Sequence, residues 1–174
     1  SGFLVGGAIF SSFNKKSFLW RSFVKRRFLR LFPALVFASL FIIISSYLIF
    51  LPSDFENVLS ATKYTISGLS NIYFWTQINY FNSSSLLNPL LHIWSLSLEE
   101  QFYIFFPILL YFGAFVRIKS ILLIHFTFIV SLILAIWGGI NEPNASFYLL
   151  PTRMWEFILG LYAFLIKKDF DKNI

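Results

Sequence analysis

Two runs of the chain, Leu31 to Ser53 and Ser120 to Asn141, pass 23 and 22 residues without an Asp, Glu, Lys or Arg. At about 1.5 Å per helical residue each can cross roughly 30 Å of hydrocarbon, so both are predicted to be membrane-spanning helices. Phe102 to Val116 is a shorter run that gains an apolar turn through Leu96 and Leu98, and Trp155 to Ile166 reaches back to Phe147 through Arg153. Both are expected to be spans with ionisable residues at one end. Ser1 to Phe10 is apolar and carries neither the basic head nor the small-residue cleavage site of a signal peptide. It reads as the tail of a membrane helix whose beginning is missing. Val58 to Trp75 mixes apolar residues with Lys63, Gly68 and several hydroxyl side chains. A short span, a re-entrant segment and an interfacial helix all remain open for it. Asn79 to Pro89 is rich in Asn and Ser and reads as a loop. There is no internal repeat or low-complexity tract, and the expected architecture is all-α, a polytopic transmembrane helix bundle.

Composition sharpens this reading. Of the 174 residues 57% are hydrophobic, 21% aromatic and only 13% charged, and the mean hydropathy is +0.73. An average soluble domain is about 25% charged, so a water-soluble monomer is excluded and so is a disordered chain. The chain has no Cys, which removes disulfides, thiolate metal sites and cysteine nucleophiles. No metal-ligand set is expected.

The few charges are distributed by side. Seven of the 14 basic residues fall in Lys15 to Arg30 (KKSFLWRSFVKRRFLR), which contains no acid. A basic loop of this length stays cytoplasmic, so the first long span runs outward from it. The basic turn Arg117 to Lys119 and the tail from Lys167 to Lys172 are placed on the same side. Asp54, Glu56, Glu99, Glu100, Glu142 and Glu156 then lie at or near the outer side. This arrangement needs the chain outside at both Asp54 and Glu99, which favours an interfacial or re-entrant Val58 to Trp75. A net charge of +6 that is sorted in this way points to a membrane and not to nucleic acid.

Two places carry candidate chemistry. Arg26 and Arg30 are four apart and, if helical, share a face just before Pro33, and with Arg27 they form a set of guanidinium groups suited to phosphate. The plain alternative is a topology anchor that also attracts anionic lipid. The second place is NPLLHIWSLSLEEQFYIFFP, Asn88 to Pro107. Ionisable groups near hydrocarbon are expensive, and this segment has one His and two adjacent carboxylates. Ser97 with Glu100 fits a capping box. A helix that begins near Pro89 would instead bring His92, Ser95, Glu99 and Tyr103 onto one face, where a His beside a carboxylate is a natural general base or its orienting pair. Farther on, Arg153 and Glu156 can pair with each other or project into the same external cavity, and Gly160 would allow close helix contact there.

In order along the chain, SGFLV, RRFLRLFPAL, LSNIYFW, LNPLLHIWSLSLEEQFYIFFP and FYLLPTRMWEFILG resemble the motifs of the acyltransferase 3 family, membrane O-acyltransferases of the O-antigen acetylase type. The resemblance covers essentially the whole chain, with HIWSLSLEEQFY its most specific block. It implies part of a single integral-membrane acyltransferase domain, residues 1–174, in a protein of roughly ten membrane helices. The family's first helix, with an Arg and a His important for catalysis, would precede Ser1, and its C-terminal helices would follow. The implied reaction moves an acyl group, usually acetyl, from cytoplasmic acyl-coenzyme A to a hydroxyl of a cell-surface saccharide such as O-antigen, lipopolysaccharide or exopolysaccharide. Acyl-coenzyme A is then a donor substrate, no resident cofactor is implied, and the location is a bacterial inner membrane crossed several times. Carried over residue by residue, the resemblance assigns Arg26, Arg27 and Arg30 to the donor's phosphates and His92, Glu99 and Glu100 to the catalytic block. Trp94, Ser95, Gln101, Tyr103, Arg153 and Glu156 are left to line the acceptor side.

Two other readings compete with it. A transporter of a lipid-linked or anionic substrate would use the same basic inner mouth and acidic outer mouth without a covalent product. A membrane scaffold would use the same polar residues for structure alone.

Overall fold

The computed structural model describes residues 1–78 and 88–170, which are helices joined by short turns, with no strand among them. Residues 79–87 of the expected loop and Lys172 of the basic tail lie outside the described residues. The chain divides into two compact units, Leu19–Leu98 and Ser1–Phe18 together with Glu99–Ile174.

In the unit Leu19–Leu98, helix α2 runs Trp20–Ile49, with helix α1, Gly7–Asn14, preceding it in sequence and belonging to the other unit. Its 30 residues make a rod of about 45 Å, longer than the roughly 30 Å of hydrocarbon. The excess is its first three turns, and these carry the arginines. The basic stretch is therefore a loop only up to Leu19; from Trp20 onward it is helix, in place of the continuous loop expected from its charge. Phe37, Phe41, Ile44 and Leu48 are exposed along the apolar part, as a lipid-facing surface requires. Helix α3, Pro52–Ile66, opens with a proline at its first position, where the missing N–H costs nothing. It ends at Gly68, whose φ of 70° places it in the left-handed region, with the Leu69 amide bonded back to the Tyr64 carbonyl at 2.8 Å. Helix α4, Ser70–Ile78, follows at once. Val58 to Trp75 is thus a helix-turn-helix. At about 22 Å and 13 Å neither helix crosses a bilayer, which agrees with the interfacial or re-entrant reading and removes the single span.

The other unit holds α1 (Gly7–Asn14, entered through a π-helical turn Gly2–Gly6), α5 (Trp94–Phe115, which starts in the first unit), α6 (Ser120–Asn141), α7 (Pro143–Tyr148) and α8 (Leu150–Phe170). Helix α6 coincides with the predicted span, and with α2 it is one of two helices long and apolar enough to cross a membrane by length and composition. Phe102 stacks on Phe157 at 4.6 Å, so α5 and α8 run side by side. The N-terminal segment lies on α8 with backbone against backbone. A Cβ added to Gly160 would sit 2.7 Å from the Phe3 nitrogen, and one added to Gly2 would overlap the Phe157 carbonyl. Gly160 therefore does allow the close contact its sequence position suggests.

Hydroxyl groups tie α6 and α7 to α8. Ser131 donates to the Pro151 carbonyl at 2.6 Å and accepts the Trp155 N–H at 2.9 Å, joining the two backbone groups that an α-helix would itself pair. Thr152 Oγ1 lies 2.8 Å from the carbonyls of both Ser146 and Leu149. These bonds fix the first turn of α8, which bears Arg153 and Glu156.

Helices α1, α5 and α8 run the same way and α6 runs against them, as Gly7 on Phe164, Phe13 on Tyr111 and His125 on Tyr162 require. One end of this unit consequently gathers Lys15, Lys16, Arg117, Lys119, Lys167 and Lys168, and the opposite end Glu99, Glu142 and Glu156. This is the sorting of charge expected from the topology rule.

Candidate active site

Arg26 and Arg30 lie one turn apart on α2, and both are exposed. Arg26 Nη1 donates to Ser22 Oγ at 2.8 Å, while the Arg27 guanidinium lies over the Phe23 ring at 5.7 Å. Arg26 and Arg30, four apart on the helix, share one face, and the guanidinium of Arg27 is engaged with a ring.

The segment from Asn88 begins with a side chain acting as a turn former. Asn88 Oδ1 accepts the Leu90 N–H at 3.0 Å, and a single 3₁₀ turn, Leu91–Ile93, leads into α5 at Trp94. The helix starts later than the expected position near Pro89. His92 is therefore on the 3₁₀ turn, exposed, with its carbonyl accepting Ser95 Oγ at 3.3 Å. Trp94 opens the helix and Ser95 is exposed beside it.

Ser97 is not the cap of its own helix. It lies inside α5, 1% exposed, and its Oγ is 2.7 Å from Ser70 Oγ and accepts the Ser70 N–H at 3.2 Å. It caps α4, satisfying an amide that the first turn of a helix leaves free. The capping box with Glu100 is overturned, because that motif needs the hydroxyl ahead of the helix. Ser97→Ala should lower stability by about 1 kcal/mol with little effect on catalysis, read as a drop in unfolding temperature in detergent. An unchanged midpoint would show that water replaces the hydroxyl.

One turn later the chemistry becomes specific. Tyr103 Oη donates to Glu99 Oε2 at 2.8 Å, and Ser1 Oγ lies 3.4 Å from the same phenol oxygen. Among the described residues Oε1 of Glu99 has no hydrogen-bond partner, so a half-buried carboxylate is held at one oxygen and open at the other. Glu100 and Gln101 are half-buried next to it. On α8, Arg153 Nη2 pairs with Glu156 Oε2 at 2.9 Å, and its guanidinium lies over the Phe147 ring at 5.4 Å. The stack of Phe102 on Phe157 sets this pair at the level of Glu99 and Tyr103 in the bundle. The ion pair is the structural reading of Arg153 and Glu156. Ser131, Thr152 and Ser70 were not legible as supports, because a lone hydroxyl in an apolar run gives no local sign of its partner.

A family model described as an acyltransferase domain matches residues 1–173. The chain belongs to the acyltransferase 3 family. An uncharacterized protein of Haemophilus influenzae is 34% identical over 169 residues, covering 92% of this chain and 69% of its own length. O-acetyltransferase OatA of Staphylococcus aureus is 33% identical over 187 residues, 100% of this chain and 30% of that protein. Peptidoglycan O-acetyltransferase OatA of Listeria monocytogenes is 30% identical over 168 residues, 92% of this chain and 27% of that protein. The chain thus spans less than a third of the length of either OatA. No solved structure matches it. The Glu99–Tyr103 pair and the arginines of α2 all lie within the residues that the family model matches.

Proposed function

We propose that the protein is a multi-pass membrane O-acetyltransferase of a bacterial inner membrane. It takes an acetyl group from cytoplasmic acyl-coenzyme A and passes it to a hydroxyl of a cell-envelope saccharide. The observation that carries this reading is the Glu99–Tyr103 pair, a carboxylate with one oxygen held and one open, in a chain matched almost end to end by an acyltransferase family.

In the transfer the saccharide oxygen bonds to the thioester carbonyl carbon, the carbon–sulfur bond breaks, and coenzyme A leaves as its thiolate. The hydroxyl proton must go to a base as the new bond forms. In this reading Glu99 Oε1 takes or directs it, supported by the hydrogen bond from the Tyr103 phenol that keeps the carboxylate from turning away. Arg26 and Arg30 neutralise the donor's phosphates, and His92 and Glu100 shape the acceptor side. A bundle interior excludes the water that would otherwise hydrolyse the thioester. The name of the Listeria relative puts peptidoglycan beside surface polysaccharide as the acceptor to try first.

The test is transfer of labelled acetyl from acetyl-coenzyme A to peptidoglycan fragments and to surface polysaccharide by the protein in proteoliposomes. An acetyl ester on either acceptor supports the reading, and substrate movement without an ester points to transport. Replacing Arg26 and Arg30 together by Gln should raise KM for acetyl-coenzyme A about tenfold with kcat little changed, because a contact to a remote phosphate acts alike in ground and transition states. An unchanged KM would leave the arginines as topology anchors.

A further inference from the structure

Within the unit Leu19–Leu98, a cavity of about 230 Å³ lies where α2 closes and α3 begins, at the end of α2 away from its arginines. The junction contributes the Phe50 ring with Ile49 and Leu51, α3 contributes Asp54 and Asn57, and Asn88 completes the lining. Its back is fixed. The Asn57 carbonyl accepts the Tyr73 hydroxyl of α4 at 3.2 Å and lies 3.5 Å from Asn88 Nδ2. Asn88 is only 8% exposed, and its Oδ1 is held by the Leu90 N–H at 3.0 Å. Three segments therefore meet at one backbone oxygen.

Ordinary structural roles account for part of this lining. An acid in the first turn of α3 suits the helix dipole, and Asn88 forms the turn before α5. The remaining chemistry is left over. Among the described residues the Asp54 carboxylate and the Asn57 side-chain amide make no hydrogen bond or ion pair, and Asn88 Nδ2 keeps one N–H to give. The topology rule sorts basic residues and calls for neither amide.

The cavity thus offers a carboxylate that accepts, an amide that both gives and takes, and an N–H donor, beside one ring and two aliphatic side chains. A sugar ring is the complement of this set, because its neighbouring hydroxyls donate and accept while its C–H face is apolar. Charge narrows the choice. No cation lines the cavity, so a phosphate or a carboxylate would meet Asp54 unneutralised. The volume lies below the range of about 300 to 1,000 Å³ usual for larger ligands, which suits a single ring. We propose that this cavity binds one neutral sugar unit of the acceptor glycan. Asp54 is among the acids that the charge distribution puts on the outer side, where the acceptor is expected. The proposal rests on the reading of the acceptor as a saccharide and narrows it to a glycan with an uncharged pyranose unit. The site would hold the glycan and take no part in the chemistry.

Binding separates this proposal from the transfer reaction. The protein in nanodiscs is titrated with a neutral tetramer of N-acetylglucosamine and, in parallel, with a tetramer of galacturonic acid. Wild-type protein should bind the neutral tetramer about tenfold more tightly than the acidic one. Asp54→Asn keeps the shape of the side chain, and Asn57→Ala removes one that makes no hydrogen bond of its own. Both should keep the unfolding temperature while weakening the neutral tetramer about tenfold. In the transfer assay both should raise KM for a neutral glycan, with kcat and KM for acetyl-coenzyme A unchanged. Wild-type affinity in both variants overturns the proposal. So does failure of the neutral tetramer to bind, or binding of the acidic tetramer as tightly. An acetyl ester formed with an unchanged acceptor KM in both variants overturns the site and leaves the reaction standing. Variant-sensitive sugar binding without any ester does the reverse.

Discussion

Replacing Gly160 by Ala is expected to destabilise the protein by about 2 kcal/mol or more and to abolish function at ordinary temperature. The added methyl would lie 2.7 Å from the Phe3 nitrogen and 3.0 Å from the Gly2 carbonyl carbon. Both are backbone atoms. A flexible side chain can turn aside from an intruding methyl, but here a whole helical segment must lift away from α8. That would also undo the packing that keeps Ser1 beside Tyr103 and Phe102 against Phe157. The control is Gly139→Ala in α6, where the new methyl meets nothing within 4 Å. Glycine is a poor helix former in the absence of such a constraint, so this change should be neutral or stabilising by up to about 1 kcal/mol. Thermal unfolding of the two variants in the same detergent decides the matter. Equal midpoints would mean that the approach of the N-terminal segment to α8 does not contribute to stability.

The contrast between those glycines was only half visible in the sequence. Gly160 follows a polar helical turn and invites a close-contact reading; Gly139 has no feature that sets it apart until the space around it is known. The same division holds for the helices. Helix α6 was legible to the residue because hydropathy alone decides a charge-free run. The start of α2 was not, because a basic stretch is equally compatible with a loop and with a helix that projects beyond the hydrocarbon. Val58 to Trp75 stayed ambiguous until Gly68 was seen to adopt the left-handed conformation that ends α3. Ser97 was misread for a more general reason. A capping motif is local, and the sequence offered Glu100 as a local partner, whereas the true partner Ser70 lies 27 residues away and is brought in by packing. In the candidate site, Glu99 and Tyr103 were legible as a helical pair four apart. The exposure of His92 was not, because a single 3₁₀ turn shifts it out of the register that a helix begun at Pro89 would have given.

Glu99→Gln is expected to lower acetyl transfer by about a hundredfold or more at saturating acetyl-coenzyme A, the size of loss that follows removal of a general base. The substitution separates charge and basicity from shape. Glutamine can still accept the Tyr103 hydrogen bond through its carbonyl oxygen, so the side chain stays where Glu99 Oε2 now meets the phenol at 2.8 Å. What it puts in the place of the open carboxylate oxygen is an amide nitrogen, which donates hydrogen bonds and cannot receive the hydroxyl proton. Stability should change little, and so should KM for acetyl-coenzyme A, because the donor is held elsewhere. Tyr103→Phe should cost less, about tenfold, because the phenol positions the carboxylate and does not itself take the proton. Measured together the two variants are ordered: removing the base must cost more than loosening it. Wild-type turnover in Glu99→Gln would remove this carboxylate from the chemistry. A loss in Tyr103→Phe as large as in Glu99→Gln would mean that the phenol donates directly to the reacting oxygen, and that Glu99 serves to orient it.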